Sequence, residues 1–230
     1  MDHLNIEFDH WLLKNKPDAL EQLSKLYCKI WEEDKHFQEY RQCPVCKTYF
    51  GKKEVETLGI KTCDGSKPSR PHQLVDLVLA WVPEQVAKEI LSDAQLPGFK
   101  GFLTVLYDGT IVAFTWGKVM PLSKVQQIWD ETLVQQLTKI NPNPDVCYYD
   151  ELGRDPKWSG YGFGKELAIM LTSWMRDKHP EKLALLRTHE AAGARGIYEE
   201  LGYRLFAQDT EHGQGRIMMK VDRCADLLTD

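Results

Sequence analysis

The sequence has no surplus of basic residues, no long apolar run and no low-complexity tract. Its 29 Lys and Arg are outnumbered by 34 Asp and Glu, so the formal net charge is −5. Affinity for a nucleic-acid backbone depends on a surplus of Lys and Arg, so a nucleic-acid partner is not expected. No stretch approaches the ~18 apolar residues that a membrane span needs, so a membrane protein is not expected either.

The amino-terminal residues MDHLNIEFDHW match neither a signal peptide nor a transit peptide, because they are acidic and lack an apolar run. Six cysteines in 230 residues without an export signal favour a reducing compartment, in which thiols stay free or bind metal. We therefore expect a cytoplasmic protein without disulfides. The length allows one large domain or one domain with an extension.

Apolar periodicity predicts helices in the first part of the chain. Spacings of three and four indicate a helix over residues 17–34, and helical spacing returns in HQLVDLVLAWV and in PEQVAKEILSDAQ. Between them, residues 42–72 lose this periodicity and gather Gly, Pro, Lys and four candidate metal ligands. We expect a loop-rich insert there.

The remainder of the chain alternates strands and helices. FKGFLTVLY and TIVAFTWGKVM, separated by Asp108 and Gly109, predict a β-hairpin. A helix is predicted over SKVQQIWDETLVQQLTKI and a strand over DVCYYDEL. The predicted order then becomes a glycine loop, a helix (KELAIMLTSWMRDK), a strand (LALLRTH), a helix (AAGARGIYEEL) and two strands (YRLFAQD and RIMMKV).

Three glycines at alternate positions, Gly160, Gly162 and Gly164, precede the helix KELAIMLTSWMRDK. Glycine permits positive φ, so successive N–H groups can point into one concavity beside the positive end of the helix dipole. Such a loop suits a phosphate or pyrophosphate, and close strand-to-helix packing is the other interpretation. Lys165 is followed by Glu166 rather than Ser or Thr, which excludes the P-loop pattern, and the late position argues against a dinucleotide fingerprint.

From about residue 99 to residue 221 the sequence resembles the GNAT superfamily of acyl-CoA-dependent N-acetyltransferases. Residues 159–164, SGYGFG, match the family's pyrophosphate motif Q/R-x-x-G-x-G/A. About thirty residues later, AAGARGIYEELGYRLF is similar to the family segment N-x-x-A-x-x-L-Y-x-x-x-G-F. The resemblance implies an α/β fold with a mixed central sheet flanked by helices. It also implies an acetyl-CoA-binding core over residues 99–230, with the helices and insert of residues 1–98 packed on the same domain.

The residues that the resemblance assigns to acetyl-CoA follow the end of the strand DVCYYDEL. They are Leu152, Gly153, Arg154, Ser159, Gly160, Tyr161, Gly162, Phe163, Gly164 and Lys165. A backbone N–H near Leu152 is the implied oxyanion donor. Two positions depart from the family pattern, since Ser159 replaces Gln or Arg and Ala191 replaces the usual Asn. The first change removes one long side chain from the phosphate site, although backbone donors should do most of the binding.

The resemblance also implies catalytic residues. Tyr198 matches the family's tyrosine near the CoA sulfur, and a phenol can protonate a thiolate or hold it by a hydrogen bond. Glu151 lies where relatives often carry a base or an amine contact. Asp150 and Tyr149 are alternatives to Glu151, because a bulge expected here makes the strand parity uncertain. A core tyrosine and a solvated acid are the structural interpretations of Tyr198 and Glu151.

Two lysines and one histidine near these motifs have alternative interpretations. Lys157 and Lys165 flank the glycines and either meet CoA phosphates or are simply solvated. His189 follows the strand LALLRTH and is either a second base or a structural histidine.

The insert contains a cysteine and histidine set that resembles a zinc site in its spacing. Cys43 and Cys46 have the two-residue spacing that lets both thiolates reach one tetrahedral metal, and Cys63 and His72 follow. A short polar segment with little core of its own would gain folding free energy from a metal. Structural zinc is therefore a prediction, and free thiols are the alternative.

We expect an enzyme that transfers an acetyl group from acetyl-CoA to a primary amine of a small molecule or peptide, by direct attack. Two alternatives stay open: a zinc-ribbon-like partner-binding module on an acetyltransferase scaffold, and a non-catalytic acyl-CoA-binding sensor. The expected partner is the amine substrate, without nucleic acid or membrane. The expected assembly is a monomer or a homodimer.

Overall fold

The computed structural model describes residues 2–33, 39–66, 72–125, 131–141, 143–208 and 215–228. The chain divides into two compact units. The larger unit contains Met1–Lys16 and Leu91–Asp230, and the smaller unit contains Pro17–Ile90. The acetyl-CoA motifs lie in the larger unit and the cysteine and histidine set lies in the smaller one. The domain boundary at residue 98 stays a prediction.

Strands and helices alternate along most of the chain. In chain order they are β1 (His3–Phe8), α1 (His10–Asn15), α2 (Pro17–Glu33), β2 (Arg41–Gln42), β3 (Tyr49–Phe50), β4 (Thr62–Cys63), β5 (Val75–Asp76), β6 (Val78–Leu79), α3 (Pro83–Ala94), β7 (Lys100–Leu106), β8 (Ile111–Pro121), α4 (Leu122–Val125), α5 (Glu131–Ile140), β9 (Asp145–Arg154), α6 (Phe163–Lys178), β10 (Leu183–His189), α7 (Ala194–Glu200), β11 (Arg204–Gln208) and β12 (Arg216–Val221). Short helical turns occur at Lys53–Thr57, Pro156–Trp158 and Cys224–Asp226.

A seven-stranded sheet in the order β1-β7-β8-β9-β10-β12-β11 forms the larger unit. β9 and β10 pair in parallel, whereas the other neighbouring strands pair in antiparallel fashion. The central strand β8 is buried from Ile111 to Lys118, as expected for an apolar strand covered on both faces. The predicted mixed α/β fold is confirmed.

Helix α6 covers the middle of this sheet and forms the main core with it. Leu167, Leu171 and Met175, four residues apart, are fully buried on one side of the helix. Full burial of each such side chain contributes about 1.5–3 kcal/mol. Gly117 of β8 allows the close approach, because a Cβ there would lie 2.9 Å from Met175 Cε and 2.8 Å from the carbonyl oxygen of Tyr148.

The smaller unit is built from helices and very short strands. Helix α2 buries Leu23, Leu26 and Tyr27 along one stripe, as its periodicity predicts. The strands form a three-stranded sheet in the order β3-β2-β6 and a two-stranded sheet of β4 and β5. Each of these strands has only two residues.

Most predicted elements are confirmed, and the hairpin turn at Gly109 has φ 84° and donates its N–H to the carbonyl of Leu106 at 2.9 Å. The helix predicted over HQLVDLVLAWV is wrong, because this segment forms β5 and β6. Val75 pairs with Cys63 and Val78 with Gln42, so pairing with distant strands overrides the local helical spacing.

Strand β1 has no counterpart among the predicted elements. It adds the edge strand of the large sheet by pairing with β7, from His3 opposite Leu106 to Phe8 opposite Gly101. The predicted helix over residues 123–140 is described as α4 and α5, while residues 126–130 lie outside the described residues, as does residue 34. None of the described helices is long and apolar enough to cross a membrane.

Candidate active site

The large sheet splits between β9 and β10. Their parallel ladder runs from Val146 opposite Leu183 to Tyr149 opposite Leu186 and ends there. Beyond this point β9 continues to Arg154 on β8, and β10 continues on β12. The two strands therefore separate in the middle of the sheet, just before the glycine loop begins.

A β-bulge at Asp150 sets the direction of Glu151. Tyr149 lies opposite Gly117 and Glu151 lies opposite Trp116, so Asp150 is the extra residue between them. Directly opposed residues of an antiparallel pair project from the same face. Tyr149 and Glu151, two residues apart, consequently project from opposite faces of the sheet rather than from the same one.

The glycine loop presents a row of backbone donors. Gly160 and Gly162 have φ angles of 84° and 86°, which only glycine adopts readily, and Gly162 is the N-cap of α6. Within the described part of the chain, the N–H groups of residues 160–165 donate to no protein acceptor. Six neighbouring donors at the positive end of a 16-residue helix can bind an anion.

Tyr198 of α7 lies beside the split, within a group of tyrosines. Its ring centroid is 5.2 Å from that of Tyr149 and 6.0 Å from that of Tyr203. Burial raises the pKa of Tyr198 well above its ordinary value, and nearby Tyr149 and the carboxylate of Glu151 raise this pKa further. Tyr198 therefore keeps its proton near neutral pH and can act as a hydrogen-bond donor or as an acid.

Thr115 of β8 is hydrogen-bonded to both residues that flank Asp150 in the bulge, Tyr149 and Glu151. Its hydroxyl is hydrogen-bonded to the phenol oxygen of Tyr149 and to the carbonyl oxygen of Glu151, at 2.8 Å each. Because the Thr115 hydroxyl has only one hydrogen, it donates to the carbonyl while Tyr149 donates to it. Burial raises the pKa of Tyr149, so this phenol also stays protonated.

Asp150 is engaged in an ion-pair cluster. The ammonium of Lys118 lies 2.8 Å from a carboxylate oxygen of Asp150 and 2.9 Å from one of Asp93. Burial lowers the pKa of Lys118, but the two carboxylates outweigh this and raise the pKa above its ordinary value. Burial also raises the pKa of Asp150, and Lys118 opposes that rise. Asp150 is thus held by a cation and is a poorer candidate base than Glu151.

Comparison with known proteins identifies the family. The sequence model described as the acetyltransferase (GNAT) family matches residues 69–203, more than half of the chain. The chain belongs to the GNAT acetyltransferase family. No curated protein matches it in sequence.

Solved structures of GNAT enzymes have the same fold. The polyamine N-acetyltransferase of Drosophila melanogaster, which forms N-acetylagmatine, matches 96% of this chain and 99% of its own, with 13% identity and a TM-score of 0.53. A phosphinothricin acetyltransferase from Sinorhizobium meliloti, solved with acetyl-CoA, matches 96% and 88%, with 10% identity and a TM-score of 0.54. The arylalkylamine N-acetyltransferase 2 of Aedes aegypti matches 97% and 100%, with 14% identity and a TM-score of 0.50. At these identities the likeness establishes the fold.

The other residues that the GNAT motifs assign to acetyl-CoA lie along β9, the loop and the start of α6. Leu152 and Arg154 are partly buried, whereas Ser159 and Tyr161 are exposed. Gly153 has a packing role, because a Cβ there would lie 2.3 Å from the ring of Phe114. At the start of α6, Phe163 is buried and Gly164 is partly buried.

Of the basic residues that are candidates for the site, Lys165 and His189 have partners within the protein and Lys157 is exposed. Lys165 pairs with Glu200 of α7 at 2.7 Å, so it ties two helices together, while Lys157 is exposed. His189 accepts the N–H of Ala191 at its Nδ1 atom, 3.1 Å away, and its ring lies against Gly215. This arrangement gives His189 a role in the turn between β10 and α7.

The structure adds site residues that the sequence does not indicate. Glu166 in the first turn of α6 lies 2.8 Å from His3 Nε2 and accepts from the Asn5 amide at 3.1 Å, which holds β1 beside the glycine loop. These partners are more than 160 residues away along the chain, so no local pattern links them. For Lys118 the one signal is a lone charge inside the apolar run TIVAFTWGKVM.

In the smaller unit the predicted metal ligands come together. The ligand atoms of Cys43, Cys46, Cys63 and His72 all lie within 4.8 Å of one another. Burial opposes ionisation of Cys46, but hydrogen bonds with Thr48 and His72 outweigh burial and lower the pKa of this thiol to about 6, whereas burial raises the pKa of the Cys63 thiol to about 11. Thiolate is the form that binds metal.

Proposed function

We propose that this GNAT family member transfers the acetyl group of acetyl-CoA to a primary amine of a small molecule or peptide, by direct attack. The observation that carries the proposal is the row of six N–H donors at residues 160–165, which lies directly beyond the split between β9 and β10. The anionic pyrophosphate of acetyl-CoA fits this row of donors, and the linear chain that carries the thioester fits the split between β9 and β10.

Pyrophosphate binding falls to the backbone of the glycine loop. The open space around Gly160, and around Gly162 except for Glu166 Oε1 at 3.8 Å, leaves room for phosphate oxygens to approach the N–H groups. Because these donors belong to the backbone, Ser159 in place of a longer polar residue does not remove them. The overall charge of −5 is compatible with this site, since local donors hold the phosphates.

The thioester belongs in the split, next to the end of the β9–β10 ladder. There the amine nitrogen attacks the carbonyl carbon, and a backbone N–H near Leu152 is the proposed donor to the oxyanion. When the C–S bond breaks, Tyr198 donates a hydrogen bond to the departing thiolate. A thiol has a pKa of roughly 8.5, and the raised pKa of Tyr198 favours holding the thiolate over giving up the proton outright.

Glu151 is the proposed acceptor for the proton that the amine loses. Its carboxylate raises the pKa of Tyr198 electrostatically, while the bulge turns Glu151 to the other face of β9. The proton lost by nitrogen finally resides on the CoA thiol, so the products are an amide and free CoA. Relay through Glu151 and water needs no unusual pKa.

The charge around Glu151 favours a cationic acceptor. Lys118 contacts the carboxyl groups of both Asp93 and Asp150, so one cation is shared between two acidic side chains, and the adjacent Glu151 adds a third acidic side chain to this group. Such a site attracts an ammonium ion, which loses one proton to water through Glu151 before attack, and the second proton, lost during attack, is the one that reaches the CoA thiol. Amines are also the acceptors named for the Drosophila and Aedes enzymes, which supports this substrate class.

The test is release of free thiol from acetyl-CoA with a panel of polyamines, aminoglycosides, amino acids and peptide amines. Tyr198→Phe should lower kcat by about 10- to 100-fold, the value of one hydrogen bond to a charged group, with little change in acetyl-CoA affinity. Tyr107→Phe is the matched control, because Tyr107 is 94% exposed at the hairpin turn. An unchanged kcat for Tyr198→Phe contradicts its role.

Binding is tested separately by calorimetry with acetyl-CoA. Gly162→Trp places a bulky side chain at the N-cap of α6 and at a positive φ, so it should abolish binding. Full affinity in this variant contradicts the loop assignment. Tight binding to the wild-type protein without thiol release from any amine would support a non-catalytic sensor instead.

A further inference from the structure

We propose that Cys43, Cys46, Cys63 and His72 bind one structural zinc ion, and that this ion organises the smaller unit. The proposal concerns residues outside the acetyl-transfer site and does not depend on that function. It uses the one cluster of thiols and imidazole that the described residues bring together.

The distances between the ligand atoms fit a tetrahedral site. Zn–S and Zn–N bonds of about 2.3 and 2.05 Å place two sulfurs about 3.8 Å apart, and a sulfur and a nitrogen about 3.6 Å apart. The sulfurs of Cys46 and Cys63 are 3.8 Å apart. His72 Nε2 lies 3.4 Å from the sulfur of Cys43 and 3.6 Å from that of Cys63.

The surrounding groups orient these ligands. His72 Nδ1 is 2.7 Å from the carbonyl of Gln73, which fixes the proton on Nδ1 and leaves Nε2 to bind metal. Backbone N–H groups of Cys46 and Gly65 donate to the sulfurs of Cys43 and Cys63, at 3.5 and 3.3 Å. These hydrogen bonds fix the positions of both sulfurs.

The knuckle around the first two ligands is also ordered by its backbone. Lys47 has a φ of 61°, and its N–H donates to the carbonyl of Cys43 at 3.0 Å. The N–H of Cys43 in turn donates to the carbonyl of Thr48 at 2.9 Å. This tight turn directs Cys43 and Cys46 toward the same point.

The ligand set indicates a closed site for a single ion. Four protein ligands complete a tetrahedron and leave no position for water or substrate, which is typical of structural zinc. A two-iron cluster divides its ligands between two metals and spreads them further apart than the observed 4.8 Å. Three thiolates, one neutral imidazole and Zn²⁺ give the site a charge of −1.

Zinc would serve as the core of the insert. The buried side chains of this hydrophobic cluster are Cys43, Phe50 and Cys63, and the strands around them have two residues each. Val55, Ile60, Val75 and Leu77 are only partly buried against them, so the cluster buries little apolar surface to hold such short strands together. Metal binding supplies the missing folding free energy.

Elemental analysis of the full chain, purified without added metal, tests occupancy. We expect one equivalent of zinc, and X-ray absorption with three sulfurs at about 2.3 Å and one nitrogen at about 2.0 Å. Cys46→Ser should lose most of the zinc, whereas Cys28→Ala, which removes a buried thiol of α2 in the same unit, should retain it. A folded wild-type protein with less than about a tenth of an equivalent of zinc, or with iron and sulfide, overturns the proposal.

Limited proteolysis of the full chain tests the folding role. After zinc removal with a chelator, we expect new cleavage within residues 41–66 and 72–79, while the strands β7, β8, β9 and β10 of the larger unit stay protected. Returning zinc should restore protection. Unchanged cleavage after complete zinc removal overturns the folding role. Acetyl-CoA affinity, measured on the same samples, reports on the glycine loop alone, so a failure of the acetyl-transfer proposal is distinguishable from a failure of this one.

Discussion

Lys118→Met is the most informative single substitution, because the Lys118 ammonium faces two carboxylates at the bulge. Its side chain is 11% exposed, and its ammonium contacts Asp93 at 2.9 Å and Asp150 at 2.8 Å. Methionine keeps most of the apolar stem but removes the charge. The variant therefore leaves two carboxylates close together, without the cation that holds them, in a largely buried position.

The cost follows from burial and geometry. Removing one partner of a buried ion pair costs about 3–5 kcal/mol, and because Asp93 is 32% exposed we expect less, about 2–3 kcal/mol. The matched control is Lys100→Met in the neighbouring strand, where Lys100 pairs with Glu7, which is 58% exposed. The Lys100 side chain is 19% exposed, but a pair with one partner more than half exposed contributes only about 0–1 kcal/mol.

The loss of unfolding free energy in Lys118→Met should depend on pH. In Lys118→Met the carboxyl of Asp150 stays buried without its cation, so its folded pKa rises further above the ordinary value of 3.8. A raised carboxyl pKa destabilises the fold above that pKa, and protonation relieves the effect. The difference from wild type should therefore be largest at neutral pH and shrink as the pH falls.

Urea unfolding followed by circular dichroism measures these differences at several pH values. The expected order is wild type, Lys100→Met, then Lys118→Met, and adding Asp150→Asn to Lys118→Met should recover part of the loss. If Lys118→Met were as stable as Lys100→Met at neutral pH, the ion-pair cluster would not stabilise the bulge. The thiol-release assay on the same variants should show a lower kcat for Lys118→Met, because the bulge orients Glu151.

Two further predictions follow from glycine packing and from the first turn of α6. Gly153→Ala should lose about 1–3 kcal/mol of unfolding free energy in urea, because the added Cβ would lie 2.3 Å from the Phe114 ring. The control Gly196→Ala in α7 has open space around the added Cβ and should be neutral or stabilising. Equal effects of the two substitutions would contradict the packing role of Gly153. The hydrogen bond from His3 lowers the pKa of Glu166 below 4.5, so this bond stabilises the fold above that pH and the contribution is lost as the pH falls through the lowered value. The stability difference between wild type and Glu166→Gln should therefore shrink on acidification below pH 4.5, and a constant difference would refute it.

Local patterns are sufficient wherever a segment's own residues decide its conformation. The Asp108–Gly109 turn and the apolar stripes of α2 and α6 are predictable because turn chemistry and helical periodicity are local properties. The glycine loop can be located for the same reason, since Gly160 and Gly162 do adopt positive φ. The prediction for the segment that forms β5 and β6 is wrong because pairing with distant strands, which spacing does not encode, decides its conformation.

The candidate site was likewise predictable in part from local patterns and in part only from contacts between distant residues. Motifs indicate Tyr198 and Glu151, but their neighbours Thr115, Lys118 and Asp93 come from other parts of the chain. Residues in a strand alternate faces, and a single extra residue reverses that alternation. The face on which Glu151 lies therefore depends on the bulge at Asp150, which only the register with β8 locates.

The sequence by itself determined the family, the glycine loop, the order of the core elements and the four candidate metal ligands. These depend on motifs and periodicity within short windows. Only the tertiary structure decided that β9 and β10 separate after Tyr149, that Lys118 holds Asp150, and that the ligand atoms of Cys43, Cys46, Cys63 and His72 lie within 4.8 Å. The physical reason is that each depends on contacts between residues far apart in the chain, which form when the strands pair and the core packs.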